Sequence, residues 1–567
     1  MVRVLAPTLA GYRSGWLRRD VVAGATVWAV LVPESLAYAT IAGVPPVVGL
    51  YAAAPALVLY TLVGSSRQLV VGPMAATAAL SAGVIADLGP GLDPTAATTG
   101  LAITVGLVAL VAGAFRLGFL ASFISEPVLK GFIVGLALTI AIGQLPKLLG
   151  IEKGEGDFFA QLAHLLTHLD ETNLLALVVG VGALAVVLGL RRRLPVVPGS
   201  LVAVALAIAA VWLFGLDTRG VDVVGAIPSG LPPLGLPDIP WSGYLDLAGG
   251  AVGVALVGFV EGLGAAKTYA ERQGQTVDAD RELLGLGTAN LGAGLAAGMV
   301  VNGSLSKTAV NGGAGARSQV SGLTAAVLTV LTLLFLTGLF TALPEPALAA
   351  IVIAAVIELI DIGALAGLYR MWTRRLGAIY GPAARADFVA AVAAVLGVLI
   401  FDTLPGLVIG VALSLVLLLY RSSRPNIALL GRVPGDHDLW LDRDRHPDLD
   451  VPDDIVVARV EGGLFFADAD HVRDQLLALT RPDEQGRRPR GIVLDARTVP
   501  FVDVTAARML AALDQTLRGA GSALALARDI GQVRDVLQIS GGSVLPVHSS
   551  LDDAVAALRA GPPAADS

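Results

Sequence analysis

Stretches of roughly 20 residues without a single charge recur along this chain, and that is the length a helix needs to cross a hydrocarbon core. The run VSGLTAAVLTVLTLLFLTGLF, Val320 to Phe340, is one of them. A buried soluble core has no need of so many long apolar runs. Charged residues are 15% of the 567, against about 25% in a soluble globular chain. The sequence therefore predicts an α-helical polytopic membrane protein. The start, MVRVLAPTLAGYRSGWLRRD, has no apolar h-region and no small-residue cleavage site, so the first span is expected to act as its own insertion signal. There is no cysteine, which excludes disulfides, thiol chemistry and cysteine-based metal sites. The net charge of −7 says little, because charges are densest in the last quarter, and no basic tract points to nucleic acid.

Composition changes sharply near Arg424. Before it, charges are sparse and confined to short loops. After it comes GRVPGDHDLWLDRDRHPDLDVPDD, then an alternating soluble pattern from Ile455. The expected division is a transport domain over 1–424, a polar linker over 425–454 and a soluble α/β domain over 455–567. Within the first part, fourteen spans are expected, near 21–42, 47–64, 70–86, 96–114, 127–149, 174–190, 196–214, 249–270, 283–299, 304–316, 319–343, 347–361, 386–402 and 405–421. With the N-terminus inside, the cytoplasmic gaps hold Arg67, Arg116, Arg191 to Arg193, Arg272, Arg281, Arg317, Arg370, Arg374, Arg375 and Arg385. The outer gaps are poor in basic residues, with Arg219 in the long 215–244 loop, none from Asp402 to Pro405, and Lys147 and Lys153 in a segment that is acidic overall. That asymmetry obeys the positive-inside rule and places both termini in the cytoplasm.

Two spans, the third and the tenth, are too short, and they hold the same place in two successive sets of seven. Seven is odd, so the two sets have opposite topology. Paired, glycine-interrupted short segments point to a transport site between inverted repeats. In the third, RQLVV meets Gly72-Pro73 before a small-residue helix; in the tenth, GMVV meets Asn302-Gly303 before a helix starting near Ser304 or Ser306. Each reads as an extended approach followed by a half-helix, and proline suits a first helical turn. Free N–H groups and the dipole at such helix starts favour an anion. Lys307 adds a full charge in the first turn. Close helix packing would account for the glycines, but not for a lysine at membrane depth.

Span one carries Pro33, expected to break or kink it, with Glu34 and, one turn on, Tyr38. Span eight carries Glu261, with Lys267 nearer the cytoplasmic end, where it snorkels. Two buried carboxylates repel an anion unless protonated or paired. Either one takes up a proton as the anion binds, giving proton–anion symport, or one forms a fixed salt bridge with Lys307.

The segments VPESLAYATIAGVPPVVGLYAA, GSSRQLVVGPMAATAAL, VDADRELLGLGTANLGAG and NGSLSKTAVN resemble, in this order, the SulP/SLC26 anion transporters of sulfate type. That resemblance implies fourteen spans in two inverted repeats of seven, a core domain moving against a gate domain, a homodimer and a cytoplasmic STAS domain. It implies an anion site between the half-helices of spans three and ten, lined also by spans one and eight. Carried over by position, the site residues are Glu34, Tyr38, Met74, Ala75, Glu261, Leu305, Ser306 and Lys307, with Glu34 and Glu261 as proton-coupling candidates. Glu34 stands where the family commonly has Gln, Lys307 where it often has Arg, and Asp280 where Asn is usual. The first departure favours proton coupling over plain chloride conduction; the second keeps the charge but loses a bidentate fork. Ala265, one turn after Glu261, disfavours sodium coupling.

From Ile455 the expected order is strand IVVARVE, strand GLFF, helix from Ala469, strand GIVLDAR, a loop entering a helix at Asp503, strand ALALAR, helix from Ile530 and the segment SVLPV. This is similar to a STAS domain, in whose regulatory relatives the loop holds a phosphorylatable Ser or Thr; Thr505 matches, and Asp503 or Thr505 also suits a helix cap. His164 and His168 lie four apart, but two histidines without a third ligand make a poor metal site, and an amphipathic interfacial helix is the expected reading there. No nucleophile–base set, metal cluster or phosphate-binding glycine loop emerges, so neither enzyme activity nor a cofactor is expected. The expected function is secondary active transport of small inorganic oxyanions in the plasma membrane, sulfate first, by alternating access and proton-coupled or exchanging. Bicarbonate or dicarboxylate transport, or channel-like anion conduction, is the alternative.

Overall fold

The computed structural model describes residues 6–560, except 89–91, 124, 195–196, 273, 358, 361–362, 364–365, 368, 371–381, 402, 437–438, 447, 483–485 and 540–544. Arg374, Arg375 and Asp402 of the charge argument, and Ser543 and Val544 of the segment SVLPV, lie outside the described residues. The chain divides after Ser414, inside the helix Thr403–Ser422, into two units.

The first unit is helical: α1 (Leu17–Ile41), α2 (Val47–Val63), the short strand β1 (Val70–Gly72), α3 (Ala75–Asp87), α4 (Pro94–Ala114), α5 (Glu126–Leu149), α6 (Phe158–Thr167), α7 (Leu174–Arg193), α8 (Gly199–Phe214), α9 (Trp241–Glu271), α10 (Ala279–Leu295), β2 (Asn302–Ser304), α11 (Leu305–Gly313), α12 (Val320–Phe335), α13 (Glu345–Ile357), α14 (Pro382–Phe401) and α15 (Thr403–Ser422). Each stretch read as a span holds a helix. Among the described residues, six helices are long and apolar enough to cross a membrane by length and composition. Pro33 does not break α1, which runs on through it. Local signals set the ends: the Asp93 side chain accepts from Ala96 N at 2.8 Å ahead of Pro94, and Gly150 leaves α5 in the left-handed conformation.

The packing pairs elements at matching places in the two expected sets of seven. α1 packs on α12 as α9 packs on α4, and α2 on α12 as α10 on α4. The α4–α10 contact is close because glycines form it: a Cβ on Gly106 would lie 2.7 Å from the Leu291 nitrogen. Small residues let helix backbones approach this way where no water drives association.

Buried carboxylates then fasten the loops around the short segments. Glu282, at the start of α10, accepts from the Tyr60 hydroxyl (2.8 Å), Ser65 N (2.9 Å), Ser65 Oγ (2.6 Å) and Ser66 N (3.0 Å), fixing the turn before β1. Asp20, fully buried on α1, accepts from Arg317 N (2.6 Å) and Ser318 Oγ (2.6 Å), fixing the turn after α11. Asp280 accepts from Gly118 N at 2.8 Å. Glu282→Ala is expected to lower stability by about 3 kcal/mol or more, because it strands several buried donors at once. A thermal-melt series in detergent against wild type checks this, and a melt unchanged by the substitution would refute it.

The second unit holds a six-stranded sheet in the order β4-β3-β5-β6-β7-β8, built from β3 (Asn426–Arg432), β4 (Trp440–Asp442), β5 (Ile455–Glu461), β6 (Gly491–Asp495), β7 (Ala523–Ala527) and β8 (Val547–His548). β3 pairs antiparallel with β4 and β5, while β5 to β8 are parallel. Helices α16 (Ala469–Leu479), α17 (Val504–Gly519), α18 (Gly531–Ile539) and α19 (Leu551–Ala560) complete it. Two expectations need correction. The stretch 425–454 is more than a linker: it supplies β3 and β4, whose Ala428, Leu430 and Trp440 are buried. Charged neighbours masked that short apolar pattern in the sequence. GLFF is not a strand. Leu464 makes one parallel bridge to Val502, and carboxylates take the next two N–H groups: Asp468 Oδ1 accepts from Phe465 N and Asp503 Oδ2 from Phe466 N. A ladder has no donors left there.

Candidate functional site

The two short segments meet. β1 and β2 pair antiparallel, with Val70 opposite Ser304, Val71 opposite Gly303 and Gly72 opposite Asn302. Three residues are few for a strand, and buried polar side chains hold these. Val70 N donates to Thr308 Oγ1 (3.0 Å), Asn290 bonds the Val301 backbone in both directions (2.9 Å each), Asn311 Nδ2 donates to Gln68 O (2.9 Å), and Gln319 Nε2 donates to Leu69 O (2.8 Å). Sequence reasoning missed these residues. The available signal was amides and hydroxyls inside otherwise apolar runs, where a polar group persists only if bonded.

β2 runs directly into α11, while Pro73 and Met74 link β1 to α3. Met74, half-buried and extended, precedes α3 with no side-chain cap, and Ala75 opens the helix. Ser304 precedes α11, and its Oγ accepts from Lys307 N at 3.2 Å. The Leu305 and Ser306 side chains at the start of α11 are exposed, and Ser306 Oγ lies 3.2 Å from Ser304 Oγ. The first two residues of α11 are therefore exposed, while Lys307 and Thr308 of the same turn are buried; the dipole at such a helix start favours an anion.

Lys307 turns inward from that turn and is 1% exposed. Its Nζ lies 2.8 Å from Glu34 Oε2, donates to the Pro73 carbonyl at 3.0 Å, and sits 5.0 Å from the centre of the Tyr38 ring. Glu34 and Tyr38, one turn apart on α1, are both buried. The partner left open by the sequence is thus Glu34, with Tyr38 as a cation–π floor. Arg191, near the end of α7, also lies within electrostatic reach of Glu34. Glu261 is placed differently. It faces β2, where Asn302 Nδ2 donates to its Oε2 at 3.3 Å, and Asn302 Oδ1 accepts from Gly303 N at 2.7 Å. Gly262 makes room, since a Cβ there would stand 3.0 Å from Asn302 Oδ1.

His164 and His168 are not part of this cluster. Their rings stack at 4.0 Å at the end of α6, and His168 Nδ1 lies 2.8 Å from the His164 carbonyl oxygen. Thr505 is exposed near the start of α17, and Asp503 caps that helix by accepting from Ala506 N at 2.8 Å.

The pattern of the sulfate permease family matches residues 17–379, and that of the STAS domain matches 446–554. This chain belongs to the sulfate permease family. As a permease it belongs with transporters, not enzymes. It is 37% identical over 531 residues to a probable sulfate transporter of Mycobacterium tuberculosis, covering 93% of this chain and 92% of that one. It is 29% identical over 565 residues to sulfate transporter 1.3 of Arabidopsis thaliana, covering 95% and 84%. Among solved structures, the murine Solute Carrier 26 family member A9 anion transporter in the inward-facing state superposes with a TM-score of 0.86 at 23% identity, over 98% of this chain and 94% of that one. The transmembrane domain of the cyanobacterial bicarbonate transporter BicA gives 0.59 at 23%, over 68% and 97%. At these identities the structures establish the fold.

Proposed function

We propose that this chain is a secondary active transporter of small inorganic oxyanions, sulfate first. It works by alternating access as a homodimer in the plasma membrane, with fourteen spans in two inverted repeats and both termini cytoplasmic. The observation that carries this reading is the β1–β2 pairing, which brings two half-helix starts together beside a buried lysine. The relatives named above as sulfate transporters support the choice of substrate. Glu34, Tyr38, Met74, Ala75, Glu261, Leu305, Ser306 and Lys307 line the site. Anion and protein meet at the exposed start of α11, where N–H groups and the dipole supply attraction without a formal charge.

Of the two acids, Glu261 is the better proton carrier. Glu34 is ion-paired, whereas Glu261 receives one long hydrogen bond from a neutral amide. A carboxyl without a cation is costly in a membrane unless it takes a proton. The deciding experiment is counterflow in proteoliposomes with labelled sulfate, bicarbonate and fumarate, with and without sodium and pH gradients. Sulfate counterflow that ignores sodium supports the proposal. Preference for bicarbonate or fumarate replaces the substrate, and currents far above the tracer flux replace the carrier with a channel.

In the STAS domain, Thr505 is placed for regulation: a phosphoryl group near a helix start gains from the dipole. Phosphopeptide mapping of the protein from its own cells is expected to find modified Thr505 in some growth condition. An unmodified residue in all of them removes the switch.

A further inference from the structure

A carrier that returns empty must move its unloaded site across the barrier, and a lone buried cation resists that step. Lys307 is not alone. Its Nζ is held at 2.8 Å by Glu34 and at 3.0 Å by the Pro73 carbonyl, over Tyr38. Every one of these partners comes from α1 or from the link between β1 and α3, and α1 packs against both α3 and α11. The neutralising carboxylate therefore belongs to the same cluster as the anion site.

We propose that Glu34 is a resident counter-ion that lets the empty site reorient, so that this chain performs net uptake rather than obligatory exchange. The inference rests on the transport function proposed above. With no anion present, Glu34 cancels the charge of Lys307, and the pair crosses as a dipole. When an oxyanion arrives at the first turn of α11, it competes with Glu34 for the same ammonium. A glutamine at position 34 keeps the shape and the hydrogen-bonding oxygen but not the charge. Lys307 is then neutralised only while an anion is bound, and the loaded form alone moves readily.

The test compares wild type, Glu34→Gln and Glu34→Asp in proteoliposomes. Labelled sulfate uptake is measured into vesicles without internal sulfate and into vesicles preloaded with it. The readout is the ratio of net uptake to exchange, which does not depend on how much protein inserts. Wild type is expected to take up sulfate without internal anion. In Glu34→Gln the ratio is expected to fall by about tenfold or more, and in Glu34→Asp to stay within about threefold of wild type. A wild type that requires internal sulfate overturns the proposal. So does a Glu34→Gln protein whose ratio is unchanged, or one that loses net uptake and exchange together while Glu34→Asp keeps both. Absence of sulfate exchange in wild type is a different failure: it removes the sulfate-transport reading itself.

Discussion

Lys307→Ala is expected to abolish sulfate transport, with uptake and counterflow both falling by about a hundredfold or more, the equivalent of about 3 kcal/mol of lost interaction. The argument is one of burial. Lys307 is 1% exposed, so its charge acts at low dielectric on whatever faces it, whether Glu34 or an arriving oxyanion. The same substitution leaves Glu34 buried without its ion partner. Stability should therefore drop by about 3–5 kcal/mol, less whatever Glu34 recovers by taking a proton. Adding Glu34→Gln removes the stranded charge, so the double variant should regain much of the melting temperature and none of the transport. Tracer flux and thermal melts on the four proteins of the cycle check both parts. Retention of wild-type flux by Lys307→Ala would remove Lys307 from the transport site.

The second large effect is expected at Glu261. Glu261→Gln keeps the bond to Asn302, since the amide oxygen accepts where the carboxylate did, and removes the titrating group. An inward proton gradient is expected to accelerate wild-type sulfate uptake several-fold. In Glu261→Gln that acceleration should shrink to about onefold while sulfate-for-sulfate exchange remains measurable. The sign follows from the chemistry: a carboxyl loaded with a proton on the acidic side lowers the site's negative charge and admits the anion there. Uptake by wild type that ignores the imposed gradient would end the proton-coupling proposal. Acceleration persisting in Glu261→Gln would move the proton to another group.

Both carboxylates were proton-coupling candidates in the sequence, each an acid in an apolar run, and the family departure at Glu34 pointed to that one. What separates them is the position of Lys307, 234 residues beyond the carbonyl it bonds. No local pattern encodes a distance of that kind. The half-helices themselves were legible, because a Gly-Pro or Asn-Gly turn before small residues is a local signal with a local cause. α11 starts at Leu305, beside the expected Ser304 or Ser306, whereas α3 starts at Ala75, so the proline expected in its first turn precedes the helix instead. The residues that hold the strand crossing, among them Gln68, Asn290 and Thr308, were passed over. An amide in an apolar run is visible, but its partner is not. In the C-terminal unit the parallel strands β5, β6 and β7 were readable from the short apolar and alternating segments IVVARVE, GIVLDAR and ALALAR. β3 and β4 were not, because short strands beside a charged loop owe their existence to the neighbour they pair with.

The sequence by itself determined the membrane-like composition, the helices, the two paired short segments and the change to an α/β unit, since each depends on hydrophobic periodicity and turn chemistry within a short window. Only the tertiary structure decided that the short segments pair with each other, that Lys307 faces Glu34 over Tyr38, and that Glu261 is left to a neutral amide. Those outcomes are set by where buried polar groups find partners, and in a low-dielectric interior each must find one wherever the fold supplies it.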